Sequence, residues 1–152
     1  MVLKTYRQKR NFKRTPEPSE LERKTSKFSE KSIFVVHEHW ATHHHFDFRL
    51  QIGGVLKSWA IPKRPSQKVG EKRLAIQVED HPLEYANFEG VIPEGQYGAG
   101  RVKIWDKGKV KFKRIEPKII EFELFGKKLK GQFTLIRPKT FEKKNWLLLK
   151  NK

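Results

Sequence analysis

The chain has 152 residues, with 34 Lys and Arg against 17 Asp and Glu, a formal net charge of +17. That length allows one domain with a packed core, and 11 Phe, 4 Trp and 3 Tyr supply the aromatic volume to fill it. The absence of cysteine excludes disulfide scaffolds, thiolate zinc sites, iron–sulfur clusters and cysteine nucleophiles. No apolar run reaches the roughly 18 residues of a membrane span, and no charged-then-apolar leader opens the sequence, so a cytoplasmic protein is expected. The cationic excess points to a polyanionic partner, nucleic acid ahead of a membrane surface, because no basic amphipathic helix is evident.

In chain order, residues 1–32 are densely charged and lack a sustained hydrophobic period. They read as a partly mobile basic arm, with Lys4, Arg7, Lys9, Arg10, Lys13 and Arg14 as its edge. Residues 33–152 form the folded domain. From Ile33 the dominant period is two: Ile33–His39, His45–Ile52 and Val55–Ile61 are predicted strands, with Gly53-Gly54 as the turn between the last two. Further strands are predicted at Arg73–Glu79, Arg101–Asp106, Lys109–Arg114, Ile119–Leu124, Gln132–Arg137 and Trp146–Lys150. Asp106-Lys107-Gly108 and Gly126–Gly131 have the composition of hairpin connectors. The glycine-rich stretch from Asn87 to Gly100 is too irregular for a strand. About eight short strands with little helical periodicity predict a mainly β domain, a compact antiparallel barrel.

Five of the six histidines, His37, His39, His43, His44 and His45, lie within nine residues. Alternation along 45–52 puts His45, Asp47, Arg49 and Gln51 on one face and Phe46, Phe48, Leu50 and Ile52 on the other. The second row is core. The first carries an imidazole, a carboxylate and a guanidinium, which are costly to bury unless paired or metal-bound. Folding 33–40 back on 45–52 as a hairpin brings His39 to His45 and Asp47, a facial set of two imidazoles and a carboxylate that leaves positions open for water and substrate oxygen. His37 shares the face of His39, while His43 and His44 read as a solvated loop. Arg49 either pairs with Asp47 or clamps a phosphate bidentately. His81, in Glu79-Asp80-His81-Pro82, is either a supporting partner or faces the phosphate. Lys63 and Arg73 read singly as surface charges, and Tyr85 as core filler.

These segments also carry a resemblance. Phe34-Val-Val-His-Glu-His39, His45-Phe-Asp-Phe-Arg-Leu50 and Gly54-Val-Leu-Lys-Ser-Trp-Ala-Ile-Pro-Lys63 resemble the 3′-phosphoesterase domain of bacterial DNA ligase D. The match runs on through Arg73-Leu-Ala-Ile-Gln-Val-Glu-Asp-His-Pro-Leu-Glu-Tyr85 and Phe88-Glu-Gly-Val-Ile-Pro-Glu-Gly-Gln-Tyr-Gly-Ala-Gly100 to Val102-Lys-Ile-Trp-Asp106. It is densest over 34–106, and the chain looks like a free-standing form of the domain. The resemblance implies a manganese-dependent β-barrel enzyme that removes a 3′-terminal ribonucleoside from DNA and then the 3′-phosphate, leaving a 3′-hydroxyl. It implies His39, His45 and Asp47 as metal ligands and Arg49 and His81 as phosphate-binding and catalytic groups. Lys63, Arg73 and Tyr85 are implied in support, with Glu17 and Arg10 from the arm. The family carries glutamine where this chain has His37 and aspartate where it has Asn11. His37 keeps a hydrogen-bonding role or adds a metal contact, whereas Asn11 weakens any ion pair from arm to site.

The implied partners are DNA or RNA/DNA primer–template 3′ ends, with a separate ligase and polymerase, and the expected state is a monomer. A protonated His81 would neutralise charge on the phosphate or donate a proton to the leaving oxygen. Zinc or copper would bind the same ligands more tightly than manganese and inhibit. Two rivals predict other behaviour. A non-haem Fe(II) oxygenase shares the His-x-Asp pattern and would consume dioxygen, and a non-catalytic nucleic-acid module would bind DNA regardless of chelator or His45→Ala.

Overall fold

The computed structural model describes residues 32–152 apart from Tyr97; Arg10, Asn11, Glu17 and the rest of the arm lie outside the described residues. Among the described residues nine strands follow one another: β1 (Ile33–Trp40), β2 (His44–Ile52), β3 (Val55–Ile61), β4 (Lys72–His81), β5 (Gly90–Ile92), β6 (Gly100–Glu116), β7 (Ile119–Phe125), β8 (Lys130–Ile136) and β9 (Asn145–Lys150). A single 3-10 turn, Leu83–Asn87, is the helical element among the described residues. The sheet order is β1-β2-β3-β4-β9-β8-β7-β6-β5, and an additional β1–β6 pairing closes it. The protein is thus a mainly β, closed eight-stranded antiparallel barrel, with β5 attached to the start of β6.

Closure depends on β6. Its first half pairs with β1, from Arg101 against Trp40 to Lys109 against Ile33, and its second half pairs with β7, from Lys109 to Glu116. The expected hairpin at Asp106–Gly108 is therefore absent, and these residues lie within one strand of 17 residues. Tertiary contacts override the local turn composition. A Cβ on Gly108 would sit 2.2 Å from the Phe125 carbonyl oxygen, so only glycine admits the crossing of β7. The buried Asp106 carboxylate accepts backbone N–H bonds from Lys107, Lys127, Lys128 and Leu129. It thereby organises the β7–β8 turn and starts no turn of its own. Between Asn87 and Gly100 the irregular stretch still contributes the short β5 to the sheet.

The interior is apolar. Phe34, Val36, Phe46, Phe48, Leu50, Ile52, Trp59 and Ile61 from β1–β3 meet Phe112, Phe122, Phe133 and Leu148 from the opposite wall. Full burial of each such side chain is worth about 1.5–3 kcal/mol. A second, smaller cluster of Val35, Leu56 and Ala86 lies outside the wall, where Leu83 and Tyr85 of the 3-10 turn pack against the barrel. The outward face of β1–β4 is consequently covered, and that cover encloses a pocket.

Candidate active site

The β1–β2 hairpin sets the site. Its register places His39 opposite His45 and His37 opposite Asp47, and the strand period keeps all four, with Arg49, on the outer face. His81 reaches that face through an irregularity in the β3–β4 pairing: Ser58 faces Val78, but Leu56 faces His81, one residue further along β4 than regular pairing allows. A bulge of this kind re-aims a side chain, and without it His81 would point into the barrel.

Three groups converge at one end of the pocket. One ligand atom each from His39, His45 and Asp47 lies within 4.8 Å of the others, the one potential metal-binding cluster among the described residues. Second contacts fix the ring orientations. His39 Nε2 donates to the Gly98 carbonyl at 2.8 Å, so Nδ1 faces Asp47 Oδ2 at 3.5 Å. His45 Nδ1 donates to the His43 carbonyl at 2.9 Å, so Nε2 faces Asp47 Oδ1 at 3.2 Å. An imidazole tied at one nitrogen to a carbonyl presents the other as a ligand. Burial alone would raise the Asp47 pKa, but the Arg49 charge and the hydrogen bonds from both histidines outweigh it and hold the carboxyl well below the usual range. The hydrogen bond to Asp47 raises the His45 pKa against desolvation. An ionised carboxylate and two oriented imidazoles fit a divalent metal ion.

Arg49, 3% exposed, forms the pocket floor, and its donors are spread over the wall. Nε donates to His37 Nδ1 at 3.1 Å, Nη1 donates to Ser58 Oγ at 2.9 Å, and Nη2 lies 3.5 Å from Asp47 Oδ2. Because Arg49 only donates, His37 is held as the tautomer whose Nε2–H donates to the Phe88 carbonyl at 3.1 Å. His37 thus links Arg49 to the covering loop, the same accept-and-donate pattern a glutamine amide offers. Tyr85 lies over the guanidinium, with Arg49 Cζ 4.9 Å from its ring centroid, and also touches the His37 and His81 rings. Desolvation raises its hydroxyl pKa.

His81 sits in surroundings that disfavour a protonated imidazole. Burial, and next the Arg49 charge, push its pKa down to about 3, so in the unliganded site it is neutral. Its Nδ1 lies 3.0 Å from the Glu79 carbonyl, 3.1 Å from Arg49 Nη1 and 3.3 Å from Ser58 Oγ, all within the wall. That leaves Nε2 for the pocket. The same two influences push His37 down to about 3.

The pocket has a volume of about 570 Å³ and is lined by His39, His45, Asp47, Arg49, His81 and Tyr85 below and by Phe88, Ile92, Pro93 and Gln96 of the covering loop above. Two sequence candidates lie elsewhere. Arg73 donates from Nε to the Arg64 carbonyl at 2.8 Å and pairs with Glu71 at 3.5 Å, and Lys63 is exposed on the β3–β4 loop. Neither lines this pocket. Conversely, Ser58, the Gly98 carbonyl and Glu79 were not foreseen. Ser58 is the fully buried acceptor for Arg49, and its one signal was a hydroxyl on the outward face of β3 between the apolar Leu56 and Ala60. Glu79 lines the pocket with a buried Oε1 that has no hydrogen-bond partner among the described residues.

A closed barrel whose outer wall carries two imidazoles and a carboxylate that could hold a metal ion, beside a buried arginine, defines the class of domain. The particular family follows from comparison. Residues 37–137 match the DNA ligase D 3′-phosphoesterase domain, and the chain belongs to that family. It is 46% identical over 157 residues to the multifunctional non-homologous end joining protein LigD of Pseudomonas aeruginosa, covering 99% of this chain and 18% of the relative. It is 43% identical over 139 residues to the multifunctional non-homologous end joining DNA repair protein LigD of Mycobacterium tuberculosis, covering 89% and 18%. With the LigD of Mycolicibacterium smegmatis the identity is 39% over 156 residues, covering 95% and 20%. The chain spans about a fifth of the length of these relatives. No helix among the described residues is long and apolar enough to cross a membrane.

Proposed function

We propose that this protein is a metal-dependent phosphoesterase that heals DNA 3′ ends, removing a 3′-terminal ribonucleoside and then the 3′-phosphate. The observation that carries this reading is the position of the Arg49 guanidinium, which shares one pocket with the His39–His45–Asp47 cluster and lies 3.5 Å from its carboxylate. Manganese is the expected ion, held by those three residues. When bound it would supply Lewis acidity toward a phosphoryl oxygen and lower the pKa of a water molecule.

The chain's own groups do the rest. Arg49, clamped by His37 and Ser58, is preorganised to donate to phosphoryl oxygens as charge grows on them, at no reorganisation cost during the reaction. Arg49 itself is 3% exposed beneath Tyr85, and a low local dielectric strengthens that interaction. In the first reaction water bonds to phosphorus and the bond to the ribonucleoside 5′-oxygen breaks, leaving a 3′-phosphate. In the second the bond to the 3′-oxygen breaks, releasing phosphate and a 3′-hydroxyl. Each leaving oxygen needs a proton. His81 is neutral in the unliganded site, so it serves as donor only once the anionic substrate offsets the Arg49 charge and raises its pKa. Arg10, Glu17, Lys63 and Arg73 are assigned supporting roles through the family resemblance alone.

The test is a 5′-labelled primer–template whose primer ends in one ribonucleotide, incubated with Mn²⁺, with and without EDTA, alongside His45→Ala. Metal-dependent shortening to a 3′-phosphate and then a 3′-hydroxyl, lost in the variant, is the expected result. An unchanged primer, with DNA binding that ignores EDTA and His45→Ala, would replace this reading with a non-catalytic module.

A further inference from the structure

The pocket is larger than its charged floor needs. A phosphate on Arg49 and an ion on His39, His45 and Asp47 would fill only one end of its roughly 570 Å³, a size that encloses a whole small molecule. The remaining space is bounded by the covering loop, and the wall there is apolar, made by Phe88, Val91, Ile92 and Pro93. That wall is fixed against the site at three points. The Phe88 carbonyl accepts from His37 Nε2 at 3.1 Å, and the Gly98 carbonyl accepts from His39 Nε2 at 2.8 Å. Between them β5 pairs with β6, Ile92 facing Gly100. The wall also reaches the reacting groups. A Cβ on Gly98 would lie 3.8 Å from His39 Cε1 and 3.9 Å from Ile92 Cδ1, so the Ile92 side chain ends beside the His39 ring. Phe88 stacks on Tyr85, with centroids 5.0 Å apart and 14° between the planes, and Tyr85 lies over Arg49.

The charges decide what fits there. Among the described residues Arg49 is the one lysine or arginine in the lining, and the Glu79 carboxylate, also in the lining, repels a further anion. One phosphate is accommodated and a second is not, so the rest of the space takes an uncharged group. The first reaction supplies such a group in the leaving ribonucleoside, which is joined to the phosphorus through its 5′-oxygen and so lies next to the ion. A base-paired duplex does not fit a covered cavity of this size. The primer 5′ to the reacting phosphate therefore stays paired with its template outside, and only the last nucleoside leaves the stack. We infer that the apolar wall of the covering loop is the seat of that nucleoside's base, with Ile92 and Phe88 as the side chains that bind it. The seat takes a base by its flat apolar face. Gln96 brings the one side-chain hydrogen-bonding group that the described loop residues add to the lining, and an amide offers donor and acceptor alike, so all four bases are accepted. This rests on the 3′-end reading above and adds to it what holds the group that leaves.

The experiment measures kcat/KM on 5′-labelled primer–templates that share one duplex and differ at the primer 3′ end. The ends are a terminal ribonucleotide with each of the four bases, paired or mispaired, a terminal ribose without a base, and a 3′-phosphate. The seat predicts values within about threefold across the four mispaired bases and a loss of about tenfold or more for the baseless ribose, the order of one lost base stack. A mispaired terminal ribonucleotide should be removed faster than a paired one, because opening costs least at a mismatch. Ile92→Ala should lower the ratio of ribonucleoside removal to 3′-phosphate removal by about fivefold. Val69→Ala, which trims an exposed apolar side chain on the β3–β4 loop, should leave that ratio alone. Equal values with and without the base, or an Ile92→Ala effect equal on both substrates, would overturn the seat. If the unmodified protein leaves ribonucleoside ends intact, the first reaction of the proposed function fails on its own. Saturation-transfer NMR of adenosine and uridine with metal-free protein then decides the seat. Transfer to the base protons that weakens in Ile92→Ala upholds it, and no transfer, or transfer that Ile92→Ala does not change, removes it.

Discussion

The two faces of β2 differ in every physical respect although they share one backbone. Inward, Phe46, Phe48, Leu50 and Ile52 need only volume and apolarity, and each contacts a continuous core. Outward, His45, Asp47 and Arg49 are fixed by directional partners: the His43 carbonyl for His45, the two imidazoles and Arg49 for Asp47, and His37 and Ser58 for Arg49. One row holds the barrel together and the other is held by it. Substitutions on the inner row should therefore be read in stability, and those on the outer row in metal binding and activity.

The largest expected effect is on the inner row. Phe48→Ala leaves a cavity at a fully buried position and should cost about 3–5 kcal/mol, measured by urea denaturation, with activity per folded molecule retained. The mirror experiment is His45→Ala, at a half-buried ligand position. It should lower 3′-end processing by at least about 100-fold, beyond the loss typical of groups that only orient a metal ligand. Its denaturation midpoint should move by less than about 1 kcal/mol. If His45→Ala unfolds the protein, or Phe48→Ala abolishes activity in the folded fraction, the division between the rows is broken.

A pH series sharpens the comparison next. His37 and His81 stay neutral in the folded, metal-free protein down to about pH 3, whereas in the unfolded chain they take up protons near pH 6.5. Between those values the unfolded state binds more protons, so stability is full above about pH 6.5 and falls with acidification, by up to about 1.4 kcal/mol per pH unit for each imidazole. Thermal melts of metal-free protein at pH 7.5, 6.5 and 5.5 check the sign. Substituting both histidines should flatten the dependence, and an unchanged slope would contradict the assignment.

The smallest effect is expected from His37→Gln. An amide can accept from Arg49 Nε and donate to the Phe88 carbonyl as the imidazole does, so kcat/KM should stay within about threefold of the unmodified value. His37→Leu, which removes both bonds and leaves a buried Arg49 donor unpaired, should lose about tenfold or more. Equal behaviour of the two variants would remove His37 from the positioning of Arg49.

Much of this was legible from the period of two. Alternation alone separated Phe46, Phe48, Leu50 and Ile52 from His45, Asp47 and Arg49. The assumed hairpin put His39 against His45, which the register bears out. What escaped was set by tertiary contact. Asp106-Lys107-Gly108 has a turn's composition, yet it serves β1, β7 and the β7–β8 turn at once. His81 faces the site only through an irregular pairing register that no local pattern announces. Its neutrality follows from burial next to Arg49, which a residue's name does not reveal. Ser58 and the Gly98 carbonyl act as single hydrogen-bond acceptors for site residues, a role that leaves almost no mark on sequence.

The most direct test of the outer row is a calorimetric titration of Mn²⁺ into metal-free protein, His45→Ala and Phe48→Leu, the last an inner-row neighbour of Asp47. One binding site in the unmodified protein and in Phe48→Leu, absent from folded His45→Ala, is the predicted result. Undiminished binding by His45→Ala would show that the ion is held elsewhere and would contradict the assignment of His39, His45 and Asp47 as its ligands.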